Sequence, residues 1–210
     1  MTLEHQLLRA AERGDLVTAH RLLRRGVDLD AQAHDHTGST PLTWAVYNGD
    51  HNTAAFLLGL GADPSALGMF DMNPLELAIG NRDERMADLL LRHGADVNKT
   101  ERNLARTPLH AAAEMFVDAE KVARIVRMLC ARGADPNTRD TEGKTPLHLA
   151  AVADNVAVAQ ALLELGAKVD ATDHKGRTPA HIASAERHDR MLQLLVSFGA
   201  DLFIADNRPR

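Results

Sequence analysis

The sequence predicts an all-α solenoid built from stacked helix-turn-helix units that carry short β-turn or hairpin fingers. Two sequence markers share one period. A Pro-Leu-like step recurs at spacings of 33, 34, 38 and 33 residues, and a Gly-Ala-Asp-like step at 35, 33, 39, 33 and 33. The steps begin at Pro41, Pro74, Pro108, Pro146 and Pro179, and at Gly26, Gly61, Gly94, Gly133, Gly166 and Gly199. Such a period is typical of repeat proteins, whose units bury their apolar faces against their neighbours.

The composition favours thin helical layers over a conventional globular core. Of the 210 residues, 45% are hydrophobic but 3% are aromatic, so the largest core side chains are scarce. The net charge is −5 at pH 7. Because nucleic-acid binding depends mainly on phosphate neutralisation by Lys and Arg, we expect no nucleic-acid partner.

The termini and the cysteine usage bear on location. The N-terminal residues lack the continuous apolar segment of a secretory signal peptide. No apolar run approaches the roughly 18 residues that a membrane-spanning helix requires. Cys130 is the single cysteine, which excludes an internal disulfide and favours a reducing compartment. We expect a cytoplasmic protein that is monomeric alone, with a secreted effector as the alternative.

Residues 140–170 illustrate how one unit is built. Thr145 is suited to cap a helix, and Pro146 suits the first helical position, where a missing N–H costs nothing. A first apolar face ends at a break at residues 154–155, and a second apolar stripe follows. Gly166 suits the left-handed position that ends a helix. The unit is therefore predicted as turn, helix, turn, helix.

These residues resemble the ankyrin repeat. Its TPLHxAA signature stands at residues 107–113 and 145–151, with weaker copies at 40–45, 73–78 and 178–183. The resemblance covers nearly the whole chain and implies a single domain, residues 1–210, of six repeats. Their approximate ranges are 2–31, 35–66, 67–99, 100–138, 139–171 and 172–204. The fold serves unrelated partners, so it implies protein binding without naming a partner.

The two end repeats depart from the pattern. The first, residues 2–31, lacks the signature and resembles a solvent-facing N-terminal cap. In the last repeat, the family pattern would place Asn where Phe203 stands. We expect Phe203 and Ile204 to fold back over the last repeat as a cap. The alternative is a chain cut from a longer array, which would leave Phe198 and Phe203 without a neighbour.

The resemblance also implies a binding surface, because in the family the turn tips and first helices line a concave groove. The tip of the third repeat contains Met69, Phe70 and Met72, where polar residues are expected. Exposed surfaces rich in methionine often bind partners. The expected contacts are Trp44, Tyr47, Met69, Phe70, Met72, Leu104, Arg106, Met115, Phe116, Lys144, Lys175 and Arg177. The alternative is that the tip folds inward and Phe70 plugs a gap between repeats.

The fourth repeat contains an insertion. The signature Pro and the following Gly are 20 residues apart in four repeats, but 25 apart between Pro108 and Gly133. The extra residues fall near 114–121, between the two helices. Because Phe116 and Val117 are apolar, the segment is either a binding loop or a longer first helix with its own apolar contact.

Basic side chains mark the far end of the predicted groove. They are Lys144, His174, Lys175 and Arg177. Opposite charges across an interface favour correct pairing, so this end favours an acidic segment of a partner.

The sequence contains only weak candidates for catalytic or metal-binding chemistry. His110, His148 and His181 occupy the signature position, where the imidazole is expected to bond the backbone of the neighbouring turn. The His-Asp-His step at 34–36 falls short of the three or four ligands that zinc needs. Cys130 is expected to be a buried apolar residue rather than a reactive thiolate. We therefore expect no enzyme, no cofactor and no metal.

Two functions follow from this pattern. The first is a protein-protein interaction module or scaffold that binds its partner through the groove. The alternative is a regulatory or inhibitory subunit, such as a bacterial effector or immunity-type protein, that masks a partner enzyme.

Overall fold

The computed structural model describes residues 3–32, 38–100, 104–115 and 117–207. In these ranges the regular elements are helices, and no strand occurs. This confirms the all-α prediction, and the described fingers are turns rather than strand hairpins. Contacts divide the chain into two compact units, Met1–Asp96 and Val97–Arg210. The single-domain organisation stays a prediction.

The described residues of the first unit form three helix pairs. They are α1 (Leu3–Glu12) and α2 (Leu16–Leu23), α3 (Pro41–Tyr47) and α4 (His51–Gly59), and α5 (Pro74–Gly80) and α6 (Glu84–Arg92), with a 3₁₀ turn at Met69–Asp71. The first helices α1, α3 and α5 stack in order. Each second helix packs on the first helix of its own pair.

The second unit repeats the same design. Its described helices are α7 (Pro108–Ala113) and α8 (Ala119–Ala131), α9 (Pro146–Val152) and α10 (Val156–Glu164), and α11 (Pro179–Ala185) and α12 (Asp189–Ser197). Here α7, α9 and α11 form one layer, and α8, α10 and α12 form the other. The unit is thus a two-layer stack of antiparallel pairs.

A shared cap starts the first helices. Thr145 has extended backbone angles, Pro146 occupies the first helical position, and the His148 side chain completes a capping box. The Thr145 N–H donates to Nδ1 of His148 at 3.1 Å. In α3 and α5 the side chains of Thr43 and Glu76 take the place of the histidine. The cap predicted at Thr145 is confirmed.

The core is aliphatic and formed of small or medium side chains. The residue after the signature proline is buried in every pair that carries the signature: Leu42, Leu75, Leu109, Leu147 and Ala180. The second helices add a buried stripe, which in α10 is Val158, Ala159 and Leu162. Stacking therefore buries what no single pair could bury alone.

The insertion in the fourth repeat lengthens the second helix. Helix α8 has 13 residues, against 9 in α10, whereas α7 has 6 and is no longer than the other first helices. The extra turn buries Val122. The interpretation as a longer first helix is wrong, because α7 ends at Ala113 and the additional helical turn belongs to α8.

Candidate functional site

Two tips of the second unit, residues 140–144 and 173–177, are tight turns held by an aspartate. The Asp140 N–H donates to the carbonyl of Lys144 at 2.9 Å, and Asp140 Oδ1 accepts from the N–H groups of Glu142 and Lys144, each at 2.9 Å. Asp173 holds the next tip, residues 173–177, in the same way. The aspartates therefore set the shape from which the predicted contact side chains project.

These two tips contact each other directly. The His174 N–H donates to the carbonyl of Glu142 at 3.0 Å. Gly143 has a φ of 75°, and a Cβ placed on it would lie 2.5 Å from Cδ2 of His174. Only glycine meets both conditions, so the separation of the tips depends on Gly143.

We expect Gly143→Ala to lower the free energy of unfolding by about 1–3 kcal/mol, because the methyl group adds strain and displaces His174. Gly166→Ala is the matched control, because Gly166 has a φ of 92° but no atom within 4 Å of an added Cβ. Urea denaturation of both variants separates backbone strain from the tip contact. Equal losses would contradict the role assigned to the contact.

The signature histidines join neighbouring repeats. His110 and His148 accept a backbone N–H at Nδ1, so Nε2 carries the proton. That Nε2–H donates to the next tip, at 3.1 Å to the carbonyl of Lys144 and 2.9 Å to the carbonyl of Arg177. The predicted structural role of His110 and His148 is confirmed. Burial lowers the pKa of His148 to about 4 and also lowers the pKa of His110.

His181 occupies the same position in the last repeat. Its Nδ1 accepts the N–H of Thr178 at 3.0 Å, which again leaves the proton on Nε2. Among the described residues, no next-repeat carbonyl receives this Nε2–H. The predicted bond of His181 to a neighbouring turn stays a prediction, and in the described residues its ring lines a cavity.

The cavity lies on the tip side of the last two repeats. Its volume is about 350 Å³, and it is lined by Lys144, Val152, Lys175, Arg177, His181, Ile182, Ala185 and Glu186. Three of these residues, Lys144, Lys175 and Arg177, were predicted contacts. The sequence reasoning missed Val152, His181, Ile182, Ala185 and Glu186 as site residues. The signal that could have identified them is their position on, or directly after, the first helices α9 and α11.

Two of the cavity cations have internal partners. Arg177 donates to Asp173 Oδ2 through Nε at 2.9 Å and through Nη2 at 2.7 Å. Burial alone would raise the pKa of Asp173, but the hydrogen bonds from Arg177 and Lys175 outweigh burial and lower it. Lys144 pairs with the exposed carboxylate of Glu142, whose pKa this contact lowers. Lys175 is exposed.

The Arg106 side chain lies between two acidic side chains, Glu114 and Asp140. Its Nη1 donates to Glu114 Oε1 at 2.7 Å, and its Nε lies 3.6 Å from Oδ2 of Asp140. The side chain is 20% exposed. Arg106 therefore acts first as a brace for the tip, and a partner would reach only part of it.

In the first unit, the tip of the third repeat divides its apolar side chains. Met69 is buried at 5% exposure, whereas Phe70 is 63% exposed with a φ of 58°. Met69 is therefore wrong as a surface contact, because it fills the space beneath the tip. The interpretation of Phe70 as a plug is also wrong, because the left-handed backbone turns its side chain outward.

The tip of the third repeat packs closely on α3. A Cβ on Gly68 would lie 2.6 Å from Cγ2 of Thr43, so a larger residue would lift the tip from the helix. At the end of α3, Tyr47 is 50% exposed. Trp44 and Met72 are half-buried. Of the predicted contacts in this unit, Phe70 and Tyr47 are therefore the exposed ones.

The predicted contacts in and near the insertion are only partly described. Leu104 is exposed, and its carbonyl accepts the N–H of Thr141 at 3.0 Å. Met115 is half-buried, and its carbonyl accepts from Nδ2 of Asn155, the cap of α10. Phe116 lies outside the described residues, as do residues 34–37 and Asn103. The neighbouring Val117 is exposed.

The end of the chain does not form the predicted aromatic cap. Phe203 is 95% exposed, so the expectation that it folds back over the last repeat is wrong. Its N–H donates to Asp201 Oδ1 at 2.9 Å, which turns the chain there. Asn207 contacts the last tip instead, because its N–H donates to the carbonyl of Lys175 at 3.0 Å.

Catalytic and metal chemistry finds little support in the described side chains. Cys130 is half-buried, and burial raises the pKa of its thiol, which disfavours the thiolate. No group of three or more His, Cys, Asp or Glu side chains in the described ranges could hold a metal ion. In the same ranges, no helix has both the length and the apolar character needed to cross a bilayer.

Comparison with known sequences identifies the repeat. The family model for ankyrin repeats (three copies) matches residues 7–101, 60–140 and 109–206. Protein PhlB of Serratia liquefaciens is 38% identical over 151 residues, covering 69% of this chain and 60% of PhlB. A Caenorhabditis elegans homolog of transient receptor potential cation channel subfamily A member 1 is 32% identical over 161 residues, covering 77% and 13%. The chain thus spans less than two thirds of the length of either relative.

Solved structures agree with the sequence matches. The ankyrin repeat domain of Bcl-3, described as a unique member of the IkappaB protein family, superposes with a TM-score of 0.84 at 28% identity, covering 96% of this chain and 89% of that domain. An ankyrin repeat domain from Acinetobacter baumannii AYE gives a TM-score of 0.79 at 28% identity, covering 94% and 100%. Ankyrin repeats are generally protein-protein interaction modules, and the fold is typically non-enzymatic.

Proposed function

The chain belongs to the ankyrin-repeat family, and we propose that it binds a partner protein through the side that the tips and first helices form in each of its two units. Rigid stacked repeats offer a preformed surface, so little conformational entropy is lost when a partner binds. In this proposal the chain acts as a binding module without catalytic activity of its own.

The observation that carries the proposal is the exposed aromatic side chain at the third tip. Phe70 is held outward at 63% exposure while Met69, beside it, is buried. Aromatic side chains are enriched in protein interfaces, where they act as anchors, and an outward-held ring on a fixed turn is available for that role. Tyr47, exposed at the end of α3, is the second aromatic side chain of the proposed contact.

We expect the double variant Phe70→Ser and Tyr47→Ser to lose captured partners by at least about tenfold, because removal of two anchors costs more than 1.4 kcal/mol of binding energy. The measurement is quantitative affinity capture followed by mass spectrometry. Val17→Ser is the matched control, since Val17 is 72% exposed on the second helix α2 of the same unit.

The outcome distinguishes the binding face. Retention of every partner by the double variant, or equal loss in Val17→Ser, would place binding elsewhere. Circular dichroism of all three proteins checks that the exposed substitutions leave the helices intact, as expected for surface positions.

A second candidate is a regulatory or inhibitory subunit that masks a partner enzyme, such as a bacterial effector or immunity-type protein. Two of the similar chains, from Serratia liquefaciens and Acinetobacter baumannii, are bacterial. This role predicts capture of one enzyme in a fixed ratio and loss of that enzyme's activity in the complex. Capture of several unrelated proteins, with activities unchanged, would favour the scaffold role.

A further inference from the structure

We propose that the cavity of the second unit receives an acidic segment of the partner, with a carboxylate against Lys175 and Arg177 and an apolar side chain on Val152 and Ile182. The inference rests on the proposed function and deepens it, because it names the chemistry that one part of the binding side selects.

The charges that line the cavity favour an anion. Its wall contains Lys144, Lys175 and Arg177 but a single carboxylate, Glu186. Arg177 donates to the buried Asp173 through Nε and Nη2, which leaves the N–H groups of Nη1 to donate to a ligand oxygen. No ion pair of Lys175 occurs among the described residues, and its side chain is exposed. A carboxylate could therefore bind without breaking an internal pair.

His181 adds a third donor at the same place. In the two preceding repeats the signature Nε2–H is bonded to the next tip. In the part of the chain that the structure describes, the Nε2–H of His181 has no such acceptor, although the ring lines the cavity. A ligand oxygen would occupy the position that a neighbouring carbonyl occupies in the other repeats.

The floor of the cavity is apolar. Val152, exposed at the end of α9, faces Ile182 and Ala185 of α11 across a space of about 350 Å³. This volume lies at the lower end of the range for ligand pockets and suits one or two side chains rather than a large molecule. The occupant is thus an acidic residue with an apolar neighbour in the sequence.

A peptide fits this cavity better than a nucleic acid. The lining contains no Phe, Tyr or Trp on which bases could stack. The whole chain carries a net charge of −5, which opposes a polyanion but is a small cost for two or three carboxylates at a basic spot. An acidic peptide segment is therefore the occupant that the charges and the floor select.

The test uses fluorescently labelled, capped peptides and the full chain. The probe is Leu-Asp-Glu-Leu-Asp-Glu, and its uncharged analogue is Leu-Asn-Gln-Leu-Asn-Gln. Fluorescence anisotropy compares the wild type with Lys175→Glu and with Lys168→Glu. Lys168 is a matched control, because it is an exposed lysine of the same unit outside the cavity. Arg177 is left unchanged because it partners the buried Asp173.

We expect the acidic peptide to bind at least about tenfold more tightly than its analogue, with Lys175→Glu abolishing that advantage and Lys168→Glu changing affinity less than about twofold. Absence of binding, equal binding of the two peptides, or equal loss in both variants would overturn the inference. So would tighter binding of a hexathymidylate, which would identify a nucleic-acid site.

The result is separable from the test of the proposed function. If Phe70→Ser and Tyr47→Ser release captured partners but the acidic peptide fails, the binding face stands and the acidic preference is wrong. If the peptide binds as expected but no partner depends on Phe70 and Tyr47, the proposed face is wrong and the cavity remains a site of its own.

Discussion

Lowering the pH from 7 to 5 should reduce the free energy of unfolding by about 2 kcal/mol through His148 alone. Burial lowers the pKa of His148 from its ordinary 6.5 to about 4 in the folded chain. Below pH 6.5 His148 is therefore largely protonated in the unfolded chain, whereas it stays neutral in the folded chain until the pH approaches 4. Stability is complete above about pH 6.5 and is lost progressively as the pH falls toward 4.

His110 adds to the loss in the same direction, because burial also lowers its pKa. Both rings must stay neutral, since each accepts an N–H at Nδ1 while donating from Nε2. The carboxylates of Asp173 and Glu142 have lowered pKa values and stay ionised in this window. Burial raises the pKa of Asp30, which acts in the opposite direction, so the expected loss between pH 7 and 5 comes from the buried imidazoles.

Urea denaturation followed by circular dichroism at pH 7 and pH 5 measures the effect. The comparison variant is His148→Asn, which removes the titrating group but keeps a side chain able to hydrogen-bond. We expect this variant to be less stable at pH 7 and to lose much less between pH 7 and 5. A loss as large as that of the wild type would show that another group titrates.

Met69→Ala should lower the free energy of unfolding by about 2–5 kcal/mol, because Met69 fills the space beneath the third tip. Phe70→Ala, one residue along, should change stability by less than about 0.5 kcal/mol, since its ring is exposed. The two variants remove apolar side chains from adjacent positions, of which Met69 is buried and Phe70 is exposed.

Trp44 provides the measurement, because it is the single tryptophan and lies on α3 of the same unit. Its fluorescence during urea denaturation reports the unfolding of that unit. For partner capture we expect the reverse order, with Phe70→Ala impaired and folded Met69→Ala near normal. Similar stability losses in both variants would contradict the division of roles at this tip.

Much of the fold could be predicted because its signals are local. Thr145, Pro146 and Gly166 each carry a backbone preference, and the structure uses all three as expected. The roles of His110 and His148 followed from their place in the repeat, because every repeat offers the same carbonyl one step along.

The details of the candidate site could not be predicted in the same way. Met69 and Phe70 are both apolar, and which one is buried depends on the left-handed backbone at Phe70, a conformation that its residue type does not favour. The insertion lengthens α8 and buries Val122 there. The repeat spacing alone does not predict which of the two helices is lengthened. Phe203 stays exposed, and Asn207 is the residue that contacts the last tip.

The bonds from His110 and His148 run in one direction, from a side chain to a main-chain oxygen that any residue possesses. Duplication of residues 146–178 inside the second unit would therefore supply each new imidazole with an acceptor without a compensating mutation. Arrays of this kind can lengthen or shorten during evolution by whole-unit gene duplication and deletion, while the residues that meet partners diverge independently.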